Sequence, residues 1–228
     1  MLTDMMKAVF ERSKQMGWVL EPDTKGLLEA AGLTVPAFVC VNAAAEASEA
    51  AATMGFPVVA KVVSPKIIHK SDVGGVAVGL RDQASVRAAF DRFSAMDGFS
   101  AMLVEKMVTG VELIVGAKVD CQFGPVILLG IGGTGVEIYQ DVAIRMAPLT
   151  ALDVASMIDQ LVGRKLLEGY RGSAPVSRDA LENTLLRFSD LVMDLGDHIE
   201  SVDLNPVMCT SEACAVADAR IMLASDRA

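Results

Sequence analysis

A mixed fold of helices and strands, α/β or α+β, is predicted for this sequence by three observations. Helix-period and strand-like patterns alternate along the whole chain, as they do where helices pack in layers on sheet. The composition is 52% hydrophobic and 21% charged, which supplies a core and excludes intrinsic disorder. The 228 residues are also about one and a half times a typical domain, so one domain of two lobes, or two small domains, is expected.

The elements follow in order. Thr3 or Asp4 can cap a first helix that carries Met5, Met6, Val9, Phe10 and Met16 on one side. Asp23 is placed to cap a second helix, which Gly32 ends. VPAFVCV (35–41) reads as a strand, and Asn42 as the cap of an alanine-rich helix stopped by Gly55. FPVVAKVV (56–63) reads as a buried strand, followed by a loop over 64–75 and a strand over 76–80. Asp82 then caps a helix running through Phe93. Strands are expected over 101–108, 111–119 and 125–131, the last two joined by a turn at 123–125. Residues 151–196 are mostly helical in pattern. Leu181, Leu185, Phe188, Val192 and Leu195 form the cleanest core-facing stripe. The chain returns to strands over 199–208 and 214–221, and the natural seam falls near residue 100.

Charge excludes several functions. Twenty Lys and Arg against 29 Asp and Glu leave a net charge of −9, which opposes binding to nucleic acid or to an anionic membrane. Mean hydropathy is +0.43, yet the longest uncharged stretches, 30–45 and 121–136, contain Gly, Pro or Asn and do not read as spanning helices. The N-terminus is amphipathic rather than a signal peptide, so a cytoplasmic protein is expected. Cys40, Cys121, Cys209 and Cys214 read as reduced thiols, because Cys209 and Cys214 lack the second pair or nearby His of a zinc site.

A few residues stand out chemically. Lys61 lies inside the most apolar strand, either on an exposed face or aimed at a nucleotide phosphate from the floor of a cleft. The segment 64–76, SPKIIHKSDVGGV, places His69, Lys70, Ser71 and a glycine pair together, a combination that suits an anion. His69 is either incidental or an imidazole that accepts a phosphoryl group and passes it on. Gly130–Gly135 formally matches G-x-G-x-x-G, but no small-residue helix follows it. A glycine turn that includes Gly132 and Gly133, letting Glu137 and Arg145 approach a ligand, is the better reading. Asp203, Asn205 and Asp218 on the terminal strands could supply oxygen ligands to Mg²⁺, or Asn205-Pro206 could simply end a strand. Glu105 and Glu112 flank a short connection, where acids could hold an adenine amino group or ribose hydroxyls, or simply mark a solvated hinge. Together these features outline a nucleotide cleft between two lobes.

Four stretches carry a family resemblance. They are GFPVVAKVVSPKIIHKSDVGGVAVGL, LVEKMVTGVELIVGAKVDCQFGPVILLGIGGTGVEIYQDVAIRMAPL, KLLEGYRGSAPV, and ESVDLNPVM with AVADARI. The sequence resembles, over roughly residues 7–222, the ATP-grasp module of NDP-forming acyl-CoA synthetases, and above all the beta subunits of ADP-forming acetate–CoA ligases. The resemblance implies an α+β ATP-grasp fold, with approximate lobes 20–104 and 105–228 gripping ATP or ADP between them. It implies Lys61 at the phosphates, Glu105, Val108 and Glu112 around adenine and ribose, and Asn205 and Asp218 on Mg²⁺ with Asp203 nearby. It also implies His69 as a second phosphoryl relay in acyl-CoA + ADP + phosphate ⇌ carboxylate + CoA + ATP.

Nothing in the chain resembles the CoA-binding domain or the domain bearing the first phosphohistidine. A CoA-binding alpha subunit, in an α2β2 assembly, is therefore the expected partner, and it would also hold the small carboxylic acid. The start at Met1 with a capped helix favours a natural subunit. Two other readings compete: a nucleotide-sensing regulatory ATP-grasp domain that needs no relay histidine, and a self-contained carboxylate–amine ligase.

Overall fold

In a computed structural model, residues 2–133, 141–170 and 172–224 are described, and they form two compact units. The smaller spans Pro36–Val108, and the larger combines the residues up to Val35 with those from Thr109 onward. The N-terminal residues thus belong with the C-terminal part. A lobe beginning at 20 would have placed residues 20–35 in the smaller unit, and the boundary falls at 108/109 rather than 104/105. No helix among the described residues is long and apolar enough to cross a membrane.

The smaller unit contains β2 (Phe38–Val41), α3 (Ala44–Met54), β3 (Val58–Val63), β4 (Val76–Leu80), α4 (Gln83–Ser94) and β5 (Ala101–Lys106). Its sheet order is β2-β5-β3-β4, with every pairing antiparallel. One sheet face, with Val58, Ala60, Val62, Met102 and Val104, packs on Ala47, Ala51, Val86, Phe90 and Phe93 of the two helices. Alternation along the strands sends Val59, Lys61, Leu103 and Glu105 to the opposite face, where all four are also buried. Asp82 caps α4 as expected and forms a capping box with Ser85. The cap of α3 is Ala43 and not Asn42, whose backbone N–H instead donates to the Glu46 carboxylate at 3.3 Å.

The larger unit contains α1 (Asp4–Ser13), β1 (Trp18–Val19), α2 (Glu21–Ala30), β6 (Val111–Asp120), β7 (Gly124–Ile131) and β8 (Val142–Met146). It continues through α5 (Ala151–Gln160), α6 (Arg178–Leu195), β9 (Ile199–Cys209), β10 (Cys214–Val216) and β11 (Ala219–Leu223). The sheet runs β1-β11-β9-β6-β7-β8, and β10 also pairs with β9. These pairings are antiparallel as well, so the described strands form an α+β protein rather than an α/β one. The expected stripe on α6 is buried throughout and meets Leu113, Val115, Ile127, Leu129, Val202 and Leu204 of the sheet.

Several boundaries differ from the sequence reading. Thr3 does cap α1, but the helix ends at Ser13, so Met16 lies beyond it, and Met5 is exposed. Helix α2 starts at Glu21, with Leu20 as its cap and Pro22 in the first turn; Asp23 instead bonds Arg12 at 2.6 and 3.0 Å. The Arg12 guanidinium offers that carboxylate a bidentate partner, which outweighs capping. The strand expected over 35–41 shrinks to β2, and the one over 56–63 begins only after Pro57. The expected strand over 101–108 stops at Lys106. The segment 214–221 divides into β10 and β11, with Ala217 N–H donating to the Pro206 carbonyl and Asp218 left at the break.

Candidate functional site

In the smaller unit the apolar strand delivers Lys61 into a buried ion pair. Lys61 is only 4% exposed, and its Nζ lies 2.9 Å from Oε1 of Glu105. The register explains the meeting: Val59 is opposite Glu105 and Lys61 opposite Leu103, so the two charges sit diagonally on one face. The exposed-face reading of Lys61 is therefore overturned. Its partner is an acid that the sequence had placed near the adenine. Each charge gives the other a counter-charge in place of the water that burial removes. An arriving phosphate would give the lysine a second anion to meet.

The loop after β3 is closed by its own backbone. Gly75 N–H donates to the Lys70 carbonyl at 2.7 Å, and Val62 N–H donates to the Gly75 carbonyl at 2.8 Å. A Cβ on Gly75 would lie 2.5 Å from Cγ1 of Val62, so only glycine fits there. The glycine pair thus serves the loop's closure, and His69, Lys70 and Ser71 are carried consecutively along it. His69 and Ser71 are exposed and Lys70 is half-buried. Upstream, the Ser64 hydroxyl donates to the Asp97 carbonyl, and Lys66 pairs with the Asp97 carboxylate at 2.9 Å. Val108 is half-buried in the connection beyond β5.

In the larger unit, Glu112 is exposed near the start of β6, opposite Met208 of β9. Its carbonyl accepts the Gly132 N–H at 2.7 Å, and a Cβ on Gly132 would lie 2.8 Å from that oxygen. Gly132, Gly133 and Glu112 are thereby brought together just beyond β7. Because β7 and β8 are antiparallel neighbours, the glycine string is not the turn of a βαβ dinucleotide unit. Glu137 lies outside the described residues. Arg145 is turned toward α5, donating to Ser156 at 2.8 Å and to Gln160 at 3.2 Å.

Asp203 and Asn205 are alternate residues of β9, and Asp218 stands beside Asn205 at the break between β10 and β11. Asn205 N–H donates to the Asp218 carbonyl at 3.1 Å. The Asp218 carboxylate accepts the Ala219 N–H at 3.0 Å. Asp203 is paired with Arg220, its cross-strand neighbour, at 3.3 Å. Two carboxylates and one amide are hard oxygen donors of the kind Mg²⁺ takes. No group of three or more His, Cys, Asp or Glu suited to a metal occurs among the described residues. The corner fits a cation that draws its remaining ligands from phosphate and water.

Two residues escaped the sequence reading. Arg220 became a partner of Asp203 only once the strand register was known. Asp141 accepts the N–H groups of Val162 and Gly163 at 2.8 and 2.7 Å, tying the start of a 3₁₀ turn (Val162–Leu166) to the residue before β8. An acid just before a strand gave no signal of that contact.

The smaller unit thus carries a buried lysine and a lysine–histidine loop, and the larger unit an acidic corner. The ATP-grasp domain family matches residues 11–223, and the chain belongs to that family. The beta subunit of acetate–CoA ligase (ADP-forming) I from Pyrococcus furiosus is 35% identical, over 90% of this chain and 91% of that subunit. Acetate–CoA ligase (ADP-forming) I from Archaeoglobus fulgidus is 39% identical over 92% of this chain, which spans 32% of that relative. The acetyl-coenzyme A synthetase 1 of Ca. Korarchaeum cryptofilum, solved with coenzyme A and Mg-AMPPCP, superposes with a TM-score of 0.82 at 37% identity. That superposition covers 95% of this chain and 99% of the matched chain; the structure is described as having its phosphohistidine segment pointing towards the nucleotide binding site.

Proposed function

We propose that the chain is the nucleotide-binding beta subunit of an ADP-forming acyl-CoA synthetase of the acetate–CoA ligase type, working in the cytoplasm. It moves a phosphoryl group between a histidine relay and ADP in acyl-CoA + ADP + phosphate ⇌ carboxylate + CoA + ATP. The observation that carries this reading is the match to a beta subunit over nine-tenths of both chains. The same chain spans only a third of a single-chain relative of the same activity. A CoA-binding alpha subunit, in an α2β2 assembly, supplies the acyl chemistry and holds the small carboxylic acid.

The residue roles follow from chemistry. A ring nitrogen of His69 attacks the phosphorus of the partner's phosphohistidine, and the partner's nitrogen leaves. The ADP terminal oxygen then attacks the same phosphorus and releases His69. Lys61, Lys70 and Ser71 balance the charge spread over the phosphoryl oxygens. Glu105, Val108 and Glu112 position adenine and ribose, while Gly132, Gly133, Glu137 and Arg145 line the same nucleotide. Asp203, Asn205 and Asp218 hold Mg²⁺, which supplies charge neutralisation at the phosphates when bound.

The direct test mixes the chain with phosphorylated alpha subunit in the absence of ADP. Acid-labile, base-stable phosphate should appear on wild-type chain and be missing from His69→Ala. Phosphate on neither chain, with complex formation intact, would favour the regulatory ATP-grasp reading instead.

A further inference from the structure

The larger unit holds two cysteines that the proposed reaction does not use. Cys209 ends β9 and Cys214 begins β10, and the two are direct partners across the antiparallel pairing. They are 1% and 3% exposed, and both are free thiols. Thr210 N–H donates to the Ala213 carbonyl at 2.8 Å, which makes the cysteines the adjacent, non-hydrogen-bonded pair of the ladder. Such pairs have Cα atoms about 4.5 Å apart with side chains close together. Disulfides bridge Cα separations of roughly 4.4–6.8 Å. The neighbouring Cys209 holds the Cys214 thiol down, while Cys214 and burial push the Cys209 thiol well up, so Cys214 ionises first.

We propose that Cys209 and Cys214 form a modification site, a dithiol that low-molecular-weight disulfides convert into a cross-strand disulfide. The Cys214 thiolate attacks one sulfur of the small disulfide, forming a mixed disulfide and expelling one small thiolate. Cys209 then gives up its proton and attacks the Cys214 sulfur, closing the bridge and expelling the second. The protein loses two protons and two electrons, and the small disulfide gains them as two thiols. Access comes from the end of the hairpin. Residues 210–213 are exposed and β10 is only three residues long, so this end opens more readily than the sheet around it.

The bridge lies on a hairpin of consequence. Asn205 is four residues before Cys209 on β9, and Asp218 is four after Cys214. Closing it clamps the strands that lead to the candidate metal ligands and weakens Mg-nucleotide binding. This second statement rests on the nucleotide-binding reading.

The test uses the full chain with Cys40→Ser and Cys121→Ser, since both of those cysteines are exposed. The protein is incubated with oxidised glutathione, alkylated and cleaved after glutamate. Glu212 separates the two cysteines, so their peptides remain joined only through a disulfide. Joined peptides, released by dithiothreitol and missing when Cys214→Ser is added, are expected. Complete alkylation of both cysteines, or a glutathione adduct that never closes, overturns the dithiol, provided that unfolded protein reacts. Mg-ADP affinity should fall about fivefold or more on oxidation, the lower end of ordinary coupling between sites. Joined peptides with unchanged affinity overturn the clamp. If reduced protein fails to bind Mg-ADP, the nucleotide reading and its clamp are lost, and the joined peptides alone decide the dithiol.

Discussion

Lys61 shows what a single residue can and cannot disclose. A lysine inside VVAKVV is conspicuous in the sequence, but its partner Glu105 is fixed by cross-strand register, which no local pattern encodes. The pairing also changes how a substitution must be read. Lys61→Met removes a buried counter-charge from Glu105 and should destabilise the protein by about 3–5 kcal/mol. Combining it with Glu105→Leu should recover much of that stability in urea titrations, because an apolar pair can replace a buried ion pair. Nucleotide affinity should stay low in the double variant; recovery of affinity along with stability would remove Lys61 from the phosphate site. At His69, replacement by Ala should abolish acyl-CoA-dependent ATP formation and leave Mg-nucleotide affinity within about tenfold, since only the covalent step is lost. A larger loss of affinity would make His69 a binding residue.

Elements were most legible where one rule acted alone. The α6 stripe and the Asp82 cap followed from helix period and capping chemistry. The cap expected at Asp23 failed because Arg12, from another helix, competes for the same carboxylate. Asp82 has its pKa held below the ordinary 3.8 by the Ser85 backbone and hydroxyl, and Asp153, in the α5 capping box, by Thr150. Carboxylates lowered in this way stabilise the fold fully above their unfolded pKa. That contribution is lost as pH falls through the lower, folded value. Melting temperature should therefore drop as pH falls below the ordinary carboxylate value of 3.8, and Asp82→Ala should flatten part of that drop. An unchanged acid profile would show that the cap carries no linked stability. In the corner between β10 and β11, Asp218→Ala should shift Mg²⁺ titrations of nucleotide binding to higher concentration. Coincident titrations would exclude it from the metal site.

At the scale of the molecule, motif order carried the family, and contacts between distant segments carried what the sequence hid. Trp18 pairs with Met222 and Val19 with Ile221, so β1 joins a sheet completed at the other end of the chain. No composition shift near residue 35 marks that return, and the seam was accordingly read only near residue 100. The candidate residues stand out as a set because Lys61, His69, Glu112 and Asp218 each break the pattern of their element. Their pairings were not, since Arg220 on Asp203 and Asp141 on Gly163 depend on tertiary register. The central claim is that this chain performs the nucleotide half of a two-subunit reaction. A coupled assay supplied with acetyl-CoA, phosphate, ADP and Mg²⁺, run with and without the CoA-binding alpha subunit, tests it most directly. ATP formed only when both chains are present is the predicted result. ATP formed by this chain alone, or none from the assembled complex with any acyl-CoA, would contradict it.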